Sequence, residues 1–271
     1  MSTPPPSAPD APAARRGSPL KIDGLGLQIG GATILKDVAL DVAAGSLVGV
    51  IGPNGAGKTT LFNVISGLMK PTAGRVVLDG RDITTASVPA RARAGLGRTF
   101  QTSSLFPRLT VLENVRLAAQ VSLGGSTSLL RFPSPTDAAT RQALDMLDVV
   151  GLTHMRDAYA GDISHGDKRK LEIAVLLATD ASIVLLDEPM AGVASGDVPG
   201  LVQNIRDMQR EKGCTLLMVE HHIDVLMGLV EKVAVMYFGS IIAYDTPQRV
   251  MDDPIVQSAY LGTGAAGTEA A

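Results

Sequence analysis

Hydrophobic and polar positions from residue 20 onward alternate between strand-like and helix-like segments. Residues 20–29 and 33–43 have the alternation of two paired strands around Gly30-Gly31, and residues 74–83 predict a strand, a turn and a strand. A continuous apolar run at residues 46–52 is typical of a strand buried on both faces, and three more candidates for buried strands are residues 182–189, 215–221 and 233–239. Helical spacing occupies residues 58–70, 111–120, 137–150, 197–212 and 222–231. This order predicts an α/β fold with a mainly parallel core sheet and an N-terminal antiparallel β region.

The chain divides into one folded unit, residues 20–262, and two terminal segments. Residues 1–19 are rich in Pro, Ala and Ser, and residues 263–271 are equally poor in apolar side chains, so both are predicted to be disordered. Within the folded unit, a Gly-, Ser- and Pro-rich linker separates two helical stretches. We therefore predict a helical subdomain inserted at about residues 102–176 and a C-terminal helical tail at about residues 247–262.

Composition adds limits to this picture. The 271 residues carry a net charge of −3, which argues against a general electrostatic grip on nucleic acid. The single cysteine, Cys214, lies in the apolar run CTLLMVE and is predicted to be a buried thiol in a reducing compartment, with a redox-active thiol as the alternative. No apolar run approaches the roughly 18 residues of a membrane span, so any membrane role would be peripheral.

The strongest chemical signal is GPNGAGKTT, residues 52–60, which follows a buried strand and begins a helix. Glycines in such a loop let backbone N–H groups close round phosphate, and the helix directs its positive end at the same anion. Lys58 would supply charge to the outer phosphates, and the Thr59 hydroxyl would bind Mg²⁺. The motif predicts a site for a nucleotide with its Mg²⁺, formed by Gly52, Pro53, Asn54, Gly55, Ala56, Gly57, Lys58, Thr59 and Thr60.

Polar side chains follow two further buried strands. The run IVLLDEP brings Asp187 to a strand end, where a carboxylate can hold Mg²⁺, and Glu188 next to it can accept a proton from attacking water. His221 and His222 follow the apolar residues LLMVE. His221 is the stronger candidate for contacting the terminal phosphate and orienting the water or Glu188. Each of these residues also has a purely structural interpretation, a strand that ends in a polar turn.

In order and spacing, GPNGAGKTT, RTFQ (98–101), ISHGDKR (163–169), VLLDEP (184–189) and VEH (219–221) resemble an ABC-type ATPase. The resemblance extends over residues 20–246 and implies ATP and Mg²⁺ as ligands. It implies that Gln101 joins the metal and the water to the helical subdomain, near the site where membrane subunits dock. It also implies that Ser164 and Gly166 bind the γ-phosphate of ATP held by an opposite protomer, in a head-to-tail dimer.

The chain departs from that family pattern at several positions. His165 and Asp167 replace a Gly and a Gln; Ser164 and Asp167 also fit a helix capping box, in which the carboxylate would turn back to the Ser164 N–H. We expect this segment to function in phosphate binding, with an ATP turnover that these replacements adjust. Ile29 stands where an aromatic residue usually stacks on adenine, and Ala194 stands where an Asp usually crosses the dimer. His222 replaces the usual Asp after the histidine.

A narrower resemblance lies in GRTFQTSSLFPRLTVLENV (97–115) and TPQRVMDDPIVQSAYLG (246–262). Both look like the ATP-binding subunits of bacterial importers for branched-chain and other hydrophobic amino acids, urea or amides. The resemblance implies a second ATPase subunit, integral permease subunits, a periplasmic binding protein acting indirectly, and a place on the cytoplasmic face of the inner membrane. The alternatives are an exporter ATPase of the lipid or lipopolysaccharide type and an ABC ATPase that works on ribosomes or DNA.

Overall fold

The computed structural model describes residues 17–99, 105–124 and 137–261. These residues form ten strands, nine α-helices and one 3₁₀ helix, Thr153–Met155. The strands are β1 (Leu20–Ile29), β2 (Ala32–Val42), β3 (Leu47–Ile51), β4 (Ala73–Leu78), β5 (Arg81–Asp82), β6 (Leu96–Arg98), β7 (Ile183–Asp187), β8 (Thr215–Val219), β9 (Lys232–Tyr237) and β10 (Ser240–Asp245). The helices are α1 (Lys58–Ser66), α2 (Val88–Arg93), α3 (Val111–Ser122), α4 (Ala138–Val149), α5 (His165–Ala178), α6 (Val198–Lys212), α7 (Ile223–Leu229), α8 (Pro247–Asp252) and α9 (Pro254–Leu261).

Two sheets organise these strands. One is a four-stranded antiparallel sheet in the order β2-β1-β4-β5. The other has six strands in the order β10-β9-β3-β8-β7-β6, and all its pairs are parallel except β9 with β10. The predicted α/β fold with a mainly parallel core sheet and an N-terminal antiparallel region is confirmed. Because β3, β7 and β8 are parallel, their carboxyl ends meet at one edge, which places the predicted site residues together.

The strands β3, β7 and β8 of the six-stranded sheet are buried on both faces, as their apolar residues predict. Val48 and Val50 of β3 pack into one apolar cluster, whereas Leu47 and Ile51 pack into the other. Cys214 also belongs to the core: it is 1% exposed, and burial raises the pKa of its thiol to about 11. The prediction of a buried thiol is confirmed.

Helices α3, α4 and α5 contact one another within the range proposed for the helical subdomain. Helix α3 begins at a complete capping box, in which Thr110 and Glu113 exchange side-chain and backbone hydrogen bonds. The division into subdomains and the boundaries of the folded unit stay predictions. The predicted disordered ends and the interhelix linker lie mostly outside the described residues. No helix in the described ranges is both long and apolar enough to cross a membrane.

The structure corrects several predicted elements. Helix α1 ends at Ser66 rather than near residue 70, because Gly67 takes a left-handed conformation at φ 84° and its N–H bonds to Val64 O. The sequence patterns do not predict helix α2 or strands β6 and β10. Helix α2 and strand β6 are short, and β10 begins directly after the turn that ends β9. The C-terminal tail is two helices, since Asp253 and Pro254 interrupt it.

Candidate nucleotide site

The loop between β3 and α1 closes round a cavity of about 320 Å³. Gly52 is required by close packing, because a Cβ there would lie 2.2 Å from the carbonyl oxygen of Met236. Gly57, directly before α1, has φ 100°, which only glycine adopts readily. The lining residues are Ile34, Asn54, Gly55, Ala56, Gly57, Lys58, Thr59, Thr60, Glu188 and His221. Most of the predicted phosphate loop therefore lines one cavity together with both acid–base candidates.

Lys58 is held inside this loop by the loop's own backbone. Its Nζ donates to Gly52 O at 2.7 Å and to Pro53 O at 3.0 Å, and the residue is 7% exposed. Gly52 and Pro53 thus act as supports for the lysine. Burial lowers the pKa of Lys58, while the carboxylates of Glu188 and Asp187 act in the opposite direction. The two loop carbonyls therefore fix the ammonium in the cavity wall.

Asp187 ends β7 and is completely buried. Its Oδ2 accepts from the guanidinium of Arg98 at 2.9 Å, and burial is the main cause that raises the pKa of Asp187. Arg98 also donates to Asn63 Oδ1 and Ser66 Oγ, both at 2.8 Å, so it links Asp187 to α1. The sequence motif RTFQ contains Arg98, but the sequence analysis assigned it no role.

The donor set fits a Mg²⁺ ion that keeps water and phosphate oxygens among its ligands. Asp187 Oδ1 is buried without a hydrogen-bond partner among the described residues, and Thr59 lines the cavity. A group of three or more His, Cys, Asp or Glu side chains that could enclose a metal is absent from the described residues. Gln101, the third predicted metal-site residue, lies outside the described residues.

Glu188 and His221, the two candidates for acid–base chemistry, form a side-chain pair in the cavity. His221 Nε2 lies 2.9 Å from Glu188 Oε1, and both side chains remain open to solvent. Glu188 has φ 49°, an unfavourable value for a residue with a Cβ, and its N–H donates to Val219 O at 2.9 Å. A carboxylate and an imidazole in this arrangement can position a water and accept its proton.

His222 does not line the cavity and turns instead toward Glu220, with its Nδ1 3.3 Å from Glu220 Oε2. Glu220 itself is buried at 3% exposure, and sequence reasoning missed it because it ends an apolar strand. A charged residue directly after five buried strand positions was the available signal.

The α5 N-terminus, where the family signature was predicted, stands apart from this cavity. Ser164 Oγ accepts from the Asp167 N–H at 3.1 Å and donates to Asp167 Oδ2 at 2.7 Å. The Asp167 carboxylate therefore accepts its hydrogen bond from the Ser164 hydroxyl and not, as the capping box predicts, from the Ser164 N–H. Asp167 also lies 3.4 Å from Lys170, which offsets its charge. Neither Ser164 nor Gly166 is among the described residues that line the cavity.

The apolar wall of the cavity comes from Ile34 rather than Ile29. Ile34 lines the cavity, whereas Ile29 ends β1 and is 48% exposed. Ala194 lies in the loop between β7 and α6, and its carbonyl accepts from the Asp197 N–H at 2.8 Å.

Comparisons with known proteins agree with this geometry. The family model described as "ABC transporter" matches residues 35–191, and that described as "Branched-chain amino acid ATP-binding cassette transporter" matches residues 240–266. The chain is 36% identical over 250 residues to the high-affinity branched-chain amino acid transport ATP-binding protein LivG of Escherichia coli, covering 90% of this chain and 97% of that protein. It is also 36% identical over 229 residues to the lipopolysaccharide export system ATP-binding protein LptB of Acidithiobacillus ferridurans, covering 84% and 90%.

Among solved structures, an ATP-binding cassette of an ABC transporter in its ADP conformation superimposes with a TM-score of 0.79 at 31% identity, covering 90% of this chain and 99% of that one. The cavity between β3 and α1 thus has the sequence motif, the polar partners and the fold of a cassette that binds ATP. The chain belongs to the ABC transporter family as an ATP-binding, ATP-hydrolysing cassette.

Proposed function

We propose that this chain is the energy-coupling subunit of a bacterial importer for branched-chain or other hydrophobic amino acids or related small solutes. The observation that carries its chemistry is the Glu188–His221 pair at 2.9 Å, on the wall of the cavity that also contains Lys58. The observation that supports its branch is the match of residues 240–266 to the branched-chain amino acid cassette family.

Each residue of the site has a distinct proposed role. Lys58 neutralises the terminal phosphates, and loop N–H groups between Gly52 and Thr60 surround them. Thr59, Asp187 and Gln101 hold the Mg²⁺, which when bound supplies positive charge to the phosphate oxygens. Glu188 accepts a proton from the attacking water, and His221 holds Glu188 and the terminal phosphate in place.

A second ATPase subunit completes the site in this proposal. Ser164 and Gly166 lie away from the cavity of their own chain, and Ser164 is exposed at a helix N-terminus. Backbone N–H groups there suit the γ-phosphate of ATP bound by another subunit. The proposal is a head-to-tail dimer with two ATP molecules at the interface, formed by two copies or by this chain with a related one.

Transport requires integral permease subunits, which we propose dock beside Gln101 and the segment that follows it. Phe106 and Tyr159, 57% and 56% exposed, are large apolar side chains available for such contact. A periplasmic binding protein would act indirectly, through the permeases. The chain would then sit peripherally on the cytoplasmic face of the inner membrane.

An exporter ATPase is the second candidate, because the likeness to LptB is also 36%. The match at residues 240–266 favours the importer. An ABC ATPase working on ribosomes or DNA remains a third class, which the net charge of −3 disfavours.

Co-purification with an integral partner tests the proposal. The affinity-tagged chain is isolated from membranes, and the recovered complex is reconstituted with its binding protein. We expect ATP hydrolysis to rise when leucine, isoleucine or valine is added, with a charged amino acid as the control. Recovery only with ribosomes would overturn the transport function, and stimulation only by lipid or lipopolysaccharide would support the exporter.

A further inference from the structure

We propose that Glu220 is a positioning residue that sets the geometry of the Glu188–His221 pair; this inference rests on the roles proposed for that pair. Glu220 directly follows β8 and precedes His221, and its side chain is 2% exposed. It does not line the cavity, so it acts through the residues that do. The family resemblance and the strand pattern give no functional role to Glu220.

The two carboxylate oxygens of Glu220 bind two different loops. Oε1 accepts from the backbone N–H of Met190 at 2.8 Å, in the loop that follows Glu188. Oε2 accepts from the N–H of His221 at 3.0 Å and lies 3.4 Å from the N–H of His222. A single buried side chain therefore ties together the two segments that carry the reactive pair.

Backbone hydrogen bonds also hold both residues of the pair, since Glu188 O accepts from the Ala191 N–H and His221 O accepts from the Ile223 N–H. The His221 and Glu188 side chains are 49% and 27% exposed, so packing alone does not hold them. Glu188 also adopts φ 49°, a left-handed conformation that is unfavourable for a residue with a Cβ. Such a backbone persists only where neighbouring contacts fix it. The Glu188–Val219 bond fixes one side of this turn and the Met190–Glu220 bond fixes the other.

A carboxylate suits this position better than any other side chain. Both of its oxygens face backbone N–H donors, and both accept. In Glu220→Gln one oxygen becomes an NH₂ group, which faces an N–H donor and repels one loop. In Glu220→Asp both acceptors remain, but the side chain is one methylene too short to reach Met190 and His221 together.

Steady-state ATP hydrolysis by Glu220→Gln and Glu220→Asp tests this bridge. We expect kcat to fall about tenfold or more in both variants, because a hydrogen bond to a charged group is lost, while KM for Mg-ATP changes less than about twofold. Glu172→Gln removes another buried carboxylate, on α5, and is the matched control. Hydrogen exchange of residues 187–193 and 220–224 should rise in both Glu220 variants without nucleotide, whereas Glu172→Gln should leave it unchanged.

A double-mutant cycle separates positioning from general damage. If Glu220 acts through His221, adding Glu220→Gln to His221→Ala should lower kcat by less than about threefold further. Full additivity, a rise in KM with unchanged kcat, or unaltered exchange in the two loops would overturn the proposal. If His221→Ala and Glu188→Gln leave kcat unchanged, the roles proposed for the pair are wrong. If only Glu220→Gln leaves kcat unchanged, the pair keeps its roles and the inference about Glu220 is wrong.

Discussion

The cavity between β3 and α1 and the N-terminus of α5 are built in opposite ways. In the cavity, the buried Asp187 pairs with Arg98, 89 residues away in sequence, and the buried Lys58 is held by two carbonyls of its own loop. At α5, Ser164 is exposed, and its hydroxyl bonds to Asp167, three residues away. One region is organised by the fold, and the other is a local cap with an open face. We propose that the fold of one chain builds the first region, whereas the second acts on a nucleotide held by another subunit.

The largest expected effect comes from removing the cation of the cavity. Lys58→Ala loses both bonds to the loop carbonyls and the charge facing the phosphates. We expect ATP turnover to fall about a hundredfold or more, as for other preorganised charge-stabilising donors. Binding of a fluorescent ATP analogue and steady-state turnover measure the effect. Lys21→Ala, an exposed lysine on β1, is the control, and equal turnover in the two variants would contradict the assignment.

The second effect tests how strongly the fold fixes the cavity. Arg98→Ala leaves Asp187 buried without its cation, which typically costs about 3–5 kcal/mol of unfolding free energy. Urea denaturation measures this loss. Arg75→Ala breaks a surface ion pair of nearly equal length, 2.8 Å to Asp23 against 2.9 Å for Arg98 to Asp187, and should cost at most about 1 kcal/mol. Similar losses in the two variants would show that Asp187 does not depend on Arg98.

A smaller effect is expected at the α5 cap. Ser164→Ala should lower the unfolding free energy by about 1 kcal/mol, as other N-cap losses do, and should reduce turnover while leaving ATP binding to the isolated chain unchanged. The control, Asp137→Ala, removes the N-cap of α4, whose side chain accepts from the Thr140 N–H at 2.6 Å. It should destabilise similarly without lowering turnover. If Ser164→Ala and Asp137→Ala lowered turnover equally, Ser164 would have only a structural role as a helix cap.

The smallest expected effect is at Asp167. Its backbone N–H makes the bond to Ser164 Oγ, so Asp167→Gln retains the cap and removes one negative charge from the α5 N-terminus. We expect turnover to stay unchanged or to rise by a few-fold, since an anion binds more readily there without a carboxylate. Steady-state ATP hydrolysis measures it beside the wild type. A collapse of turnover would show that the carboxylate itself is required.

The elements that could be predicted from the sequence are those marked by one strong local signal. Buried strands such as β3 and β7 are continuous apolar runs, and the glycine-rich loop has a fixed spacing, so both were predictable. Helix α2 and strand β6 have six and three residues and are too short to show a period. Helix α1 ends where Gly67 adopts a left-handed conformation. The apolar pattern continues past Gly67, so the sequence predicts a longer helix.

The missed site residues share a different cause. Arg98 and Glu220 act through partners 89 and 30 residues away in sequence, Asp187 and Met190. Sequence spacing reveals motifs within one segment, but not which backbone N–H a buried carboxylate will reach. The same limit explains Ile34, which lines the cavity because β2 passes over the loop.

The association state of Glu188→Gln with and without Mg-ATP, by size-exclusion chromatography with light scattering, tests most directly whether the cavity and the α5 N-terminus are halves of one site. Removing the proposed base should leave ATP bound and unhydrolysed. The account predicts a monomer without nucleotide and a dimer with Mg-ATP, and the dimer should disappear when Ser164→Ala is added. A chain that binds ATP and stays monomeric would contradict pairing with a second copy.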